Sequence, residues 1–173
     1  MLKNFSLKNQ PVDHLSTFLC SKLEDHYSCS VAALPGLKNL LNRQPRPSDD
    51  HLDTNKAKQT YISRETSCEI IKTILRDVHV QSMTQSDRLA VFTMCQSVLS
   101  NDSIVDEIKQ QKFSSDFVYG FIQSMDGEKD PRNLYVCFDC ICLACQKLSF
   151  GPFVEELFEV FACYFPIDFT PVS

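Results

Sequence analysis

Four cysteines hold the most evident chemical potential of this chain: Cys137, Cys140, Cys142 and Cys145, in the pattern C-x-x-C-x-C-x-x-C. Four thiolates are the ligand set of a structural zinc or an iron–sulfur cluster, so one reading of the run is a metal or iron–sulfur binding module. The intervening residues argue for a different use. Phe138, Ile141 and Leu143 are core formers, and the run lacks the Gly and Pro of a ligand loop. On a helix, Cys137 and Cys145 fall on the face of Leu134 and Ile141, while Cys140 and Cys142 take opposite flanks about 160° apart. Thiols spread in this way do not converge on one ion. They are expected to pack as small hydrophobes, with no metal and no cofactor. A redox C-x-x-C belongs at a helix N-terminus, where the dipole lowers the thiol pKa, and both copies here fall inside the helical pattern.

Other chemistries find less support. His14, His26, His51 and His79 show no metal-ligand spacing. His26 and His79 fall near helix ends, where a histidine commonly bonds a terminal carbonyl. There is no phosphate-cradling glycine loop and no nucleophile set beside a base, so the chain is expected not to be an enzyme. Two charged groups are candidates for contact with a partner. Glu155, Glu156 and Glu159 form one acidic helix face, which is either solvated surface or a docking site. Glu128, Lys129 and Arg132, with Asp126 and Asp130, mix both signs on a turn; this is either an ion-pair seam between repeats or a partner contact.

The elements that carry these residues are helical. In the 173 residues, 43% are hydrophobic and 23% charged, enough apolar content for a real core, while four Gly and eight Pro are few turn residues for an all-β fold. The net charge of −5 argues against a phosphate grip on nucleic acid. The first residues are too polar for a signal peptide, and no apolar run approaches the roughly 20 residues of a membrane helix. The chain is expected to be soluble and intracellular, where its nine cysteines stay reduced.

The periodicity predicts an all-α fold of the HEAT or armadillo type, an α-solenoid of antiparallel helix pairs with one long polar loop. A first pair spans 1–41, with Leu15, Phe18, Leu19 and Leu23 on one helix. Its second helix runs from Val31 to Leu41, with Pro35 near the start. Residues 42–67 are polar and read as a loop expected to be disordered. A second pair occupies 68–100, and its later helix is apolar on two sides (Leu89, Phe92 and Leu99; Val91, Met94 and Val98), as suits the middle of a stack. A connection at 101–116 follows, in which Ile104, Val105 and Ile108 outline a short helix. The third pair, with the start of a next repeat, spans 117–173. The turns KLEDHYS, RDVHVQSMTQSD and SMDGEKDPRN recur roughly fifty residues apart, close to the HEAT range. Asp130–Pro131–Arg132 fits such a turn, with Pro starting a helix and Arg reaching acids or carbonyls of the adjacent turn.

Several words are specific enough to carry a resemblance: MDGEKDPRNL, GPFVEELFEV and CYFPIDFTP, with RDVHVQSMTQSDR and, more weakly, LKNQPVDHLSTFLCSKLEDH upstream. In these the chain resembles the MMS-nineteen (methyl methanesulfonate sensitivity) family along nearly its whole length. The resemblance implies a HEAT-repeat adaptor of cytosolic iron–sulfur protein assembly, with a WD-repeat partner and a small scaffold partner. Such adaptors help deliver clusters to enzymes of DNA replication and repair, in cytoplasm and nucleus, without catalysis, direct nucleic-acid contact or membrane attachment. Members of the family are several times longer, so the resemblance also implies a segment from an N-terminal region.

Overall fold

A computed structural model describes residues 12–43 and 62–165. Among these, eight α-helices and two 3-10 turns form and no strand does: α1 Val12–Ser21, α2 Tyr27–Leu41, α3 Arg64–Asp77, α4 Gln85–Ser100, α5 Asp102–Gln110, α6 Ser114–Met125, α7 Pro131–Lys147 and α8 Val154–Ala162. The expected all-α solenoid of helix pairs is what the chain builds.

Several helices start where a polar side chain satisfies free N–H groups. The Ser63 hydroxyl accepts from Thr66 N at 3.0 Å, Asn101 Oδ1 from Ser103 N at 3.1 Å, and Asp130 Oδ1 from Arg132 N at 2.9 Å. Pro131 follows that last cap at the first helical position, where its missing N–H costs nothing. Where the chain turns sharply, Gly127 supplies a left-handed residue (φ 72°) between α6 and α7.

The helices form two layers. α1, α3, α6 and α8 line one side, and α2, α4 and α7 stack behind them, while α5 fills the space against α3 and α4. The most extensive contact joins α4 and α7. Three bonds fix their relation: Gln85 to Asn133, Phe92 to Cys140 and Leu99 to Lys147 each span 48 residues. A constant offset from one end to the other means that the two helices run parallel and in register, as equivalent helices of successive repeats do. The spacing of roughly fifty residues between turns is therefore a physical repeat.

α4 is buried on both sides, with Val91, Phe92, Met94, Cys95, Val98 and Leu99 all inside. This follows its two-sided apolar pattern, although Leu89 is only half-buried. α1 differs from the expected stripe: Leu23 is buried and Leu15 and Leu19 are half-buried, but Phe18 is 58% exposed, one step outside the face that Val12 and Ser16 define. α2 starts at Tyr27, four residues before the expected Val31, because His26 Nδ1 accepts from Ser28 N at 3.4 Å. The expected break at Tyr27–Ser30 is thus helical, His26 heads a helix rather than closing one, and Pro35 lies well inside α2.

Of the expected loop 42–67, residues 44–61 lie outside the described residues. Its far end is corrected: with Ser63 as cap, Arg64–Ser67 already form the first turn of α3, and Ile62 N donates to Arg43 O at 3.2 Å. The 101–116 connection holds α5 and the first turn of α6. Residues 166–173 are likewise outside the described part.

One glycine sets a helix spacing. A Cβ on Gly120 of α6 would lie 2.8 Å from Leu75 Cβ and 3.1 Å from the Leu75 carbonyl oxygen on α3. At Gly36 the obstacle is only the end of Leu19, a methyl at 2.9 Å that can rotate away. Gly120→Ala is therefore expected to destabilise by about 1–2 kcal/mol, since overpacking against backbone outweighs the helix-propensity gain. Gly36→Ala is expected to be neutral or stabilising. Urea midpoints of the two variants check this, and equal behaviour would contradict the close α3–α6 approach.

Candidate functional site

The turn between α6 and α7 settles the question its mixed charges posed. Glu128 is buried, its side chain 1% exposed, and it accepts five hydrogen bonds. Arg88 of α4 grips it with both arms of the guanidinium, Nε to Oε2 at 2.7 Å and Nη2 to Oε1 at 2.9 Å. Asn133 Nδ2 reaches Oε2 at 2.8 Å, and the backbone N–H groups of Lys129 and Asp130 reach Oε1 at 2.9 and 3.0 Å. Arg88 Nη1 also donates to Met83 O at 2.8 Å, and Gln85 Nε2 donates to Asn133 Oδ1 at 2.9 Å. Burial alone would push the Glu128 carboxyl up; the hydrogen bonds from Arg88, Asn133 and the two backbone groups outweigh it and hold the pKa down to about 2.

Glu128 thus belongs to a seam between the second and third helix pairs and is not available to a partner, which corrects its place among the contact candidates. Arg132 is also reassigned. It does not reach the adjacent turn but folds back on its own cap, with Nε to Asp130 Oδ1 at 3.0 Å and Nη2 to Oδ2 at 2.8 Å. The residue that reaches across is Arg88, and sequence reading missed it together with Gln85 and Asn133. The available signal was a cation and an amide inside the first turns of two helices one repeat apart, where solvent-facing residues would carry no such pairing.

The remaining charged candidates face solvent. Lys129 and Arg132 are exposed on the turn, and Glu155, Glu156 and Glu159 are exposed on α8. The acidic face lies opposite the one that buries Leu157 and sets Phe161 and Tyr164 edge-on against Phe138 of α7.

The cysteine run is helical throughout and does not converge. Cys137 and Cys140 are buried against α4, and Cys140 Sγ lies 3.6 Å from Phe92 O. Cys142 and Cys145 are exposed. The expected face was one step out of phase. Cys140, not Cys145, joins Cys137 and Ile141 in the core, while Leu134 is only half-buried. The reason is the tight α4–α7 contact, which accepts Cys137, Cys140 and Ala144 as small residues and leaves bulkier Phe138 to the side of α8, against Phe161. Among the described residues, no group of three or more His, Cys, Asp or Glu is placed to hold a metal ion.

Burial raises the thiol pKa of Cys95, Cys137 and Cys140 far above the ordinary value, and pushes Cys20 and Cys68 up to about 11. In the native protein, Cys29, Cys142 and Cys163 are expected to react promptly with Ellman's reagent, whereas Cys95, Cys137 and Cys140 react only on unfolding. Equal native rates for all would contradict this packing.

The concavities between helix pairs are open furrows. One between α1 and α3 is lined by Asp13, Thr17, Glu65 and Glu69; another between α3 and α6, of about 400 Å³, by Lys72, Leu75, Arg76, Phe113 and Tyr119. No described helix is long and apolar enough to cross a membrane.

These features define a class: an α-helical repeat protein whose helix pairs are locked by polar seams and whose charged groups lie on open faces. Comparison with known proteins gives the family. The whole chain, residues 1–173, matches the family described as Dos2-interacting transcription regulator of RNA-Pol-II (MMS19_N), and the chain belongs to that family. It is 40% identical over 166 residues to the MMS19 nucleotide excision repair protein homolog of Homo sapiens, and equally to that of Mus musculus. It is 34% identical over 165 residues to the MMS19 nucleotide excision repair protein of Drosophila melanogaster. Each match covers 95% of this chain but only 14% or 15% of the relative, so the chain spans about one seventh of the length of these proteins.

Proposed function

We propose that this chain is a non-catalytic HEAT-repeat adaptor segment that serves DNA repair by binding other proteins. More finely, it belongs to the cytosolic iron–sulfur assembly targeting complex and helps deliver clusters to apo-enzymes of DNA replication and repair, in cytoplasm and nucleus. The observation that carries this reading is the likeness to relatives named as nucleotide excision repair proteins along 95% of the chain. The geometry is compatible with it: a stack held by buried seams, with Lys129, Arg132, Glu155, Glu156 and Glu159 on its open faces. The mechanism is proximity. A firm surface that holds donor complex and recipient together raises their effective concentration toward the millimolar range without chemistry of its own.

Affinity capture of the tagged chain from cells, read by mass spectrometry, tests the proposal. Recovery of cytosolic iron–sulfur assembly proteins, or of iron–sulfur helicases, primase and polymerases, is the expected result. Recovery of chaperones alone would mean that the segment has no binding function of its own.

A further inference from the structure

α7 uses Cys137 and Cys140 for its contact with α4 and leaves Cys142 and Cys145 exposed, three residues apart on the same helix. Side chains so spaced are surface neighbours, with Cβ atoms about 5–6 Å apart. A disulfide needs Cβ atoms about 3.5–4.5 Å apart, so an S–S bond here requires the helix to distort. A bridging ion replaces one short bond with two and spans the wider gap.

The donor set selects the ion. Thiolates favour soft cations. Zinc takes four ligands in its structural sites, and the described residues place no third His, Cys, Asp or Glu at this pair. What remains is a soft cation satisfied by two sulfurs, as copper(I) is.

We propose that Cys142 and Cys145 form a surface dithiol that binds one soft, thiophilic cation of the copper(I) type across a single turn of α7. On binding, each thiol releases its proton to solvent and each sulfur donates an electron pair to the metal. Two S–H bonds break, two metal–sulfur bonds form, two protons leave, and no oxidation state changes. Affinity therefore rises with pH. The site is independent of the adaptor reading and stands or falls separately.

The test is an anaerobic titration of the reduced 173-residue chain with copper(I) held by the chelator bathocuproine disulfonate. The wild type is expected to take one equivalent from the chelator, more readily at higher pH, with a thiolate-to-copper absorption band in the near ultraviolet. Cys142→Ser and Cys145→Ser are each expected to lose that equivalent while keeping the helical circular dichroism of the wild type. Cys29→Ser and Cys163→Ser are expected to retain it. The proposal is overturned if the wild type cannot compete with the chelator, if either single variant keeps the equivalent, or if uptake exceeds one equivalent with loss of helical signal.

Discussion

Glu128→Ala is expected to cost about 3–5 kcal/mol of folding stability, toward the lower end because Arg88 keeps partial contact with water. The substitution removes the acceptor of five hydrogen bonds at once. It strands the Arg88 guanidinium, whose side chain is 21% exposed, together with the Asn133 amide and two turn N–H groups. Arg88→Ala should cost a similar amount, since it leaves the carboxylate buried without its counter-charge. The double variant should cost well under the sum, because the two residues act as one unit. Urea unfolding of the four proteins measures this; losses under about 1 kcal/mol would show the seam to be ornamental.

The same pair predicts an acid dependence. The Glu128 carboxyl lies at about 2 in the folded chain against an ordinary 4.5. In that interval the unfolded chain takes up the proton and the folded chain does not. The seam's contribution is therefore complete above about pH 4.5 and is lost as the pH falls toward 2. The stability gap between wild type and Glu128→Ala should narrow across this window and stay constant above it. A gap that widens on acidification would give the shift the wrong sign.

Phe92→Ala is the second large effect. Phe92 is 0% exposed, lies edge-on to Phe121 with ring centroids 6.3 Å apart, and belongs to the helix that contacts both neighbouring repeats. Its loss is expected to cost about 3–5 kcal/mol through transfer, cavity and aromatic terms. Phe18→Ala, at a ring 58% exposed, should change stability by no more than about 0.5 kcal/mol. Sequence periodicity alone gave both rings a place in the core, so the pair of measurements tests the structure directly.

Phe18 and Cys145 show where the sequence stops being legible. Helical periodicity locates a face to within a residue, and a one-residue shift turns a helix by 100°. In α7 that shift exchanges Cys140 for Cys145, because apolarity alone does not say that α4 approaches closely enough to demand small side chains. The seam was hidden for a related reason. Glu128 and Arg88 are 40 residues apart, and their pairing depends on the register of successive repeats, which no local pattern contains. What was legible came from long, strongly patterned elements: the two-sided α4, the Asp130–Pro131 start of α7 and the recurrence of the turns. His26 as an N-cap and Ser63 as the start of α3 escaped because a short polar side chain before a helix also reads as loop.

We propose that this segment binds proteins of the iron–sulfur assembly and DNA-repair systems, with its exposed charged faces as the contact surface. The most direct measurement is interferometric binding of the purified chain to purified assembly-complex partners and to one iron–sulfur helicase, beside a variant with Glu155, Glu156 and Glu159 reversed to Lys. Saturable binding to at least one of them is expected, salt-sensitive and weakened about tenfold or more in the variant, whose helical content stays intact. No binding to any of them by a fully folded wild-type chain would contradict it.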